Sequence, residues 1–204
     1  MAGPAPERVL LIGMMGTGKS TVARLLAGTL GYGLVDTDTL VEEGAGRTVA
    51  EIFDQDGEEE FRAAESRAIA EVGQISGPLV VSVGGGAVLS AANRRAMHEL
   101  GTVVWLRARP ATLAERVGTG HGRPLLAPRP GRPSGTGGTP GAAGPIDILV
   151  QLESERRGLY QEVADVIVEV DDLSAPQVAR RITQALVAGG ARDAGMPGCD
   201  HRRR

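Results

Sequence analysis

Short apolar runs alternate along the chain with longer segments whose apolar positions recur every three or four residues. Runs of the first kind read as buried strands, and segments of the second kind as helices packed across them. Val9-Leu10-Leu11-Ile12 is the first strand, and Ser20 to Leu30 the first helix, with Val22, Leu25, Leu26 and Leu30 along one side. Leu34-Val35 leads a second strand into Asp36-Thr37-Asp38. Thr48 and Glu51 have capping-box spacing ahead of Ile52 and Phe53, so a helix starts there. A longer helix over Glu58 to Val72 turns Phe61, Ala64, Ala68 and Ile69 inward. Leu79 to Val83 is a third strand, Ser90 caps a helix to about Leu100, and Val103 to Leu106 is a fourth strand. Ala111 to Val117 is helical, Val166 to Val170 is a fifth strand, and Ser174 caps a last helix to about Val187. This order predicts an α/β fold: a three-layer sandwich around a five-stranded parallel sheet.

Two segments break the pattern. Of the 18 residues from Pro128 to Pro145, 11 are Gly or Pro. Such a composition buries no core, so this stretch reads as an insert within a single domain spanning 1–188. Residues 189–204 read as a disordered tail. The composition narrows the function further. Net charge is −3, which excludes a broadly basic nucleic-acid surface. No apolar stretch approaches the roughly 20 residues that cross a bilayer. The single cysteine, Cys199, has no internal partner, which favours a reducing, cytoplasmic setting. A monomer is the expected state.

Of the 22 basic residues, one is lysine, and it closes the loop Gly13-Met14-Met15-Gly16-Thr17-Gly18-Lys19-Ser20. Gly-x-x-x-x-Gly-Lys-Ser between a strand and a helix is the P-loop pattern for gripping nucleotide phosphates. Its glycines let backbone N–H groups turn inward around phosphate oxygens, and the following helix adds its positive end. Lys19 is expected to reach the β- and γ-phosphates of ATP, and the Ser20 hydroxyl to bind Mg²⁺. Asp36 and Asp38 stand two apart at the carboxyl end of a strand, where ligands bind in open α/β sheets. Strand alternation points them the same way. One carboxylate can serve Mg²⁺ while the other accepts a proton from an acceptor hydroxyl. Arg116 and Arg123 flank a connector with three glycines, the composition of a hinged lid over about residues 116–127.

Taken in order, the P-loop, Asp36-Thr37-Asp38, Phe61-Arg62, Gly84-Gly85-Gly86 and Arg123-Pro124-Leu125-Leu126 resemble the motifs of the shikimate kinase family. The resemblance covers about Val9 to Val187. It implies a nucleoside-monophosphate-kinase-like P-loop fold with a mobile lid, and transfer of the ATP γ-phosphoryl group to the 3-hydroxyl of shikimate. It further implies that Gly13, Gly16, Thr17, Gly18, Lys19, Ser20 and Thr21 hold the nucleotide, with Arg116 against the adenine. Arg123 would enter with the lid and neutralise the transferring phosphoryl group. Arg62 would hold the shikimate carboxylate in a forked pair, oriented by Glu65 one turn on. The second carboxylate-binding arginine falls at Arg156, four residues before Tyr160, with Arg157 adjacent as the competing choice. Gly85 and Gly86 would contact substrate through backbone N–H groups. Asp38 would bind and activate the attacking hydroxyl, and Asp36 would support Mg²⁺. Lys19, Asp38 and Arg123 are then the catalytic set. A gluconate or other polyol-acid kinase on the same fold, and a non-catalytic nucleotide-gated binding protein, are the competing readings.

Overall fold

A computed structural model describes residues 6–117 and 145–193. Five strands form one sheet: β1 (Arg8–Ile12), β2 (Gly33–Asp36), β3 (Leu79–Ser82), β4 (Thr102–Arg107) and β5 (Val166–Glu169). All neighbouring pairs are parallel and the spatial order is β2-β3-β1-β4-β5. The central strands are continuous apolar runs because both sheet faces are covered. Val9, Leu11, Val80, Val81, Val103 and Val104 are fully buried.

On one face α1 (Lys19–Leu30) packs against α8 (Ala175–Asp193); on the other lie α4 (Gly57–Val72), α5 (Ala91–Leu100), α6 (Pro110–Val117) and α7 (Pro145–Val163). Right-handed crossovers require this division, since the chain moves one way along the sheet from β1 to β2 and the other way thereafter. Two short helices, α2 (Thr37–Ala45) and α3 (Val49–Gln55), stand with α4 beyond the sheet. They enclose a second small core of Val41, Ile52, Phe53, Phe61 and Ala68. Its two phenyl rings lie 4.5 Å apart.

The expected capping box is present: Thr48 Oγ1 accepts from the Glu51 N–H, and Glu51 returns the bond to the Thr48 N–H at 2.8 Å. The buried stripe of α1 differs from the expectation. It is Val22, Ala23, Leu26 and Ala27, while Leu25 is 38% exposed. Small alanines let the helix lie close to the sheet and carry the packing that apolar bulk had suggested for Leu25. The stretch after β2 is also corrected, because Thr37 opens α2 rather than continuing the strand. Pro145, the expected last residue of the insert, is the first residue of α7, a position proline tolerates. The last helix continues past Val187 to Asp193, into the stretch read as a tail. The remainder of the insert, the lid connector after Val117, Arg123 and Cys199 lie outside the described residues. Among the described residues, no helix is long and apolar enough to cross a membrane.

Leu11 sits in the middle of the central strand with neighbours on both sides and no exposure. Leu11→Ala is expected to lower unfolding free energy by about 3 kcal/mol, read by urea denaturation. A loss below about 1 kcal/mol would contradict a continuous two-faced core.

Candidate active site

Every motif residue that the described chain contains is delivered to the carboxyl edge of the sheet. The loop after β1 wraps Gly13 to Gly18, with φ of 142° at Gly13, 83° at Gly16 and 87° at Gly18. A side chain at Gly13 would overlap the Leu106 carbonyl of β4, so glycine is required there for contact as well as conformation. Buried Thr17 closes the loop from inside through its hydroxyl, which donates to the Met14 carbonyl at 2.8 Å. Lys19, the first residue of α1, folds its ammonium back onto the carbonyls of Gly13 at 2.8 Å and Met14 at 3.1 Å. The ammonium therefore lies against the loop whose Met15, Gly16 and Gly18 line the cavity.

Asp36 ends β2 and caps α2, accepting from the Asp38 N–H at 3.1 Å. The strand-alternation argument for the two carboxylates is thereby corrected: Asp38 belongs to the first turn of a helix. A helix cap and its N2 residue still aim at one neighbourhood, so the two carboxylates remain together. Asp36 Oδ2 accepts from the Ser20 hydroxyl at 2.8 Å, and the Ser82 hydroxyl lies 3.3 Å from that of Ser20. Asp36 and Ser82 are register partners in the sheet, which explains their proximity. Among the described residues, no three His, Cys, Asp or Glu side chains cluster as a metal cage.

Beside this lies the triple glycine. Thr37, fully buried, accepts from the Gly84 N–H at 2.9 Å and ties the loop to α2. A Cβ on Gly84 would stand 2.5 Å from Glu65 Oε1 and 2.8 Å from Asp38 Oδ1, and one on Gly86 would overlap the Arg62 guanidinium. The glycines are thus required for space. Without them, Arg62, Glu65 and Asp38 could not close on the β3 exit.

Arg62 forms ion pairs with Glu65 at 2.8 Å and Glu58 at 3.1 Å, and its guanidinium sits 5.2 Å from the Phe61 ring centroid. Glu65 therefore does orient Arg62, as its spacing suggested. Arg156, on α7, is 3% exposed and donates to the Gly85 carbonyl at 3.3 Å. Arg157 points the other way, its exposed side chain paired with Glu153 at 2.7 Å. Of the two adjacent arginines, Arg156 is the one that faces the cavity. Arg62 Nε, Glu65 Oε1 and Arg156 Nε are buried without hydrogen-bond partners. Unpaired buried polar atoms are costly in a closed protein, and here three converge on one space.

That space is a cavity of about 520 Å³, lined by the phosphate loop on one side and by Asp38, Arg62, Glu65 and Arg156 on the other. Val49, Phe53 and Phe61 supply an apolar wall, and Arg116 reaches the rim. Arg116 is held there by the Val170 carbonyl at 2.9 Å and the Asp171 carbonyl at 3.2 Å. Arg123 lies outside the described residues. Solvent reaches Asp38 through the cavity mouth, yet protein crowds it elsewhere. That desolvation, with Asp36 adjacent, raises its pKa against the pull of Lys19 and Arg62. Glu65 is pushed up to about 7, chiefly by burial, with Arg62 opposing. Ser82, Thr37 and Tyr160 are participants that motif reading left without a role. Ser82 had a signal in standing two residues before the triple glycine at a strand end; Thr37 had only its place between two aspartates.

A parallel sheet with a P-loop at its central strand, facing a cavity lined by arginines and carboxylates, defines a P-loop phosphotransferase of the nucleoside-monophosphate-kinase-like fold. A family model described as shikimate kinase matches residues 15–187. The shikimate kinase of Gloeobacter violaceus is 46% identical over 184 residues, covering 90% of this chain and 94% of its own. That of Moorella thermoacetica is 43% identical over 183 residues, covering 90% and 96%. A solved shikimate kinase from Acinetobacter baumannii in complex with shikimate superposes with a TM-score of 0.79 at 32% identity, covering 89% of this chain and 93% of that one. The chain belongs to the shikimate kinase family, ATP-dependent kinases that phosphorylate a hydroxyl of shikimate.

The raised pKa of Glu65 sets a pH dependence of stability. Its carboxyl titrates from the ordinary 4.5 when unfolded and from about 7 when folded, so the folded state holds the extra proton between these values. Stability is therefore lost as pH rises through that window. Relative to Glu65→Gln, the unaltered chain is expected to lose stability between pH 5 and pH 8 in urea denaturation. Parallel curves for the two proteins would contradict the assignment.

Proposed function

We propose that the chain transfers the γ-phosphoryl group of ATP to the 3-hydroxyl of shikimate, and that the residues around the cavity divide into two grips. The observation that carries this reading is the convergence of three partnerless buried atoms, on Arg62, Glu65 and Arg156, beside Asp38 and opposite the phosphate loop. Two guanidiniums suit one carboxylate, acidic oxygens suit ring hydroxyls, and the Phe53–Phe61 wall suits a six-carbon ring. The nucleotide side comprises Gly13, Gly16, Thr17, Gly18, Lys19, Ser20 and Thr21 on the phosphates, with Arg116 against the base.

Ser20 and Asp36 present one hydroxyl and one carboxylate within 2.8 Å of each other. These hard oxygens fit Mg²⁺, which keeps several waters and shares its remaining positions with substrate phosphates. Ser20 and Asp36 would hold the ion, which would supply charge neutralisation to the phosphates. Lys19 adds a cation on the same oxygens. Asp38 accepts the hydrogen bond of the attacking hydroxyl and takes its proton as the new P–O bond forms. Its proximity to Lys19 and Arg62 opposes, without cancelling, the burial that favours the neutral acid. Gly85 and Gly86 offer backbone N–H groups to the acceptor. Arg123, outside the described residues, is the further cation that the family pattern adds over the transferring group. We place the reaction in the cytoplasm and in a monomer.

ADP release with Mg²⁺-ATP is expected to be fast with shikimate and absent with gluconate or without acceptor. Release indifferent to shikimate would overturn the assignment. Asp38→Asn is expected to lower kcat by about 10²-fold or more. Arg156→Ala is expected to raise the half-saturating shikimate concentration at least about tenfold, about 1.4 kcal/mol, with Arg157→Ala unchanged. Equal effects at the two arginines would sink the proposed division between them.

A further inference from the structure

Tyr160 is 1% exposed, and its hydroxyl donates to the Gly85 carbonyl at 2.6 Å. Burial pushes its pKa up to about 12, so the phenol stays protonated and a donor. Arg156, one turn earlier on α7, donates to the same carbonyl at 3.3 Å. The Gly85 backbone is also wedged against the phosphate loop: a Cβ there would stand 3.1 Å from the Gly13 carbonyl, 3.6 Å from the Met15 nitrogen and 3.7 Å from the phenol oxygen. Lys19 grips that same Gly13 carbonyl. The phenol thus ends a chain of contacts from α7 through the triple glycine to the phosphate loop.

A trans peptide is planar, with its C=O and the next N–H on opposite sides, and no cis bond occurs among the described residues. Pinning the Gly85 carbonyl toward α7 therefore fixes the plane of the Gly85–Gly86 peptide and turns the Gly86 N–H away from α7, at a point where both glycines line the cavity. Arg156 shares that anchor: its Nε has no partner, and its guanidinium donates to the same Gly85 carbonyl that the phenol holds. We infer that Tyr160 is a positioning residue for the acceptor: one hydroxyl fixes both the Gly85–Gly86 peptide and the Arg156 guanidinium before shikimate arrives. The inference rests on the proposed reaction. It adds a residue that touches neither substrate.

Tyr160→Phe removes only the hydroxyl and keeps the ring stacked 5.5 Å from Trp105. Relative to the unaltered chain, Tyr160→Phe is expected to raise the KM for shikimate about tenfold and lower kcat several-fold, with the KM for ATP within twofold. Calorimetric titration with shikimate alone is expected to show the same loss of affinity. Trp105→Phe disturbs the stack but spares the phenol, and is expected to leave the shikimate KM within twofold. Unchanged constants in Tyr160→Phe, parallel rises in both KM values, or an equal shift in Trp105→Phe would each overturn the positioning role and leave packing alone. Unaltered protein that shows no shikimate-dependent turnover would instead fail the reaction itself.

Discussion

The site depends on how closely two stretches of backbone approach at the sheet edge. Where β1 and β3 leave the sheet side by side, the chain runs as Gly13 to Gly18 on one and Gly84 to Gly86 on the other. At three of these glycines a single added carbon would meet a carbonyl, a carboxylate or a guanidinium. That absence of side chains lets Arg62, Glu65 and Asp38 reach in from α2 and α4, and Arg156 from α7. Packing density elsewhere follows familiar aliphatic rules. Here the protein gives up side-chain contact in order to bring polar groups from three helices to one point.

The electrostatics follow from the same crowding. Two arginines and two carboxylates share a small partly closed volume, so each stabilises or opposes its neighbours more strongly than it would in water. The pairing of Arg62 with Glu65 is incomplete: Glu65 Oε1 and Arg62 Nε are left over, and the Nε of neighbouring Arg156 is left over as well. A fully satisfied network would be a structural staple. An incompletely satisfied one favours a polar ligand that completes it.

Much of this was legible in the chain before any coordinates. The strands were readable because buried parallel strands are unbroken aliphatic runs, and the phosphate loop because its glycines and lysine stand between a strand and a helix. The Thr48–Glu51 box fixed the start of α3. The second helix was not legible, since Thr37 and Asp38 read as a continuation of the strand that Asp36 ends, and nothing local shows that Asp36 also caps a helix. Arg156 and Arg157 could not be told apart by spacing; the helical phase of α7, set by buried Leu149, Leu152 and Tyr160, separates them. Ser82 and Thr37 act through register and burial, which depend on partners far away in sequence.

The lone lysine has a practical consequence. A protease that cleaves only after lysine has one target bond in the chain, Lys19–Ser20, and that bond lies in the first turn of α1 with the lysine ammonium fastened to the preceding loop. Folded helix resists such cleavage, so scission there requires this turn to open, and scission faster than global unfolding allows reports its local opening. The chain therefore carries a built-in reporter of local unfolding at its phosphate loop, readable as the appearance of two fragments.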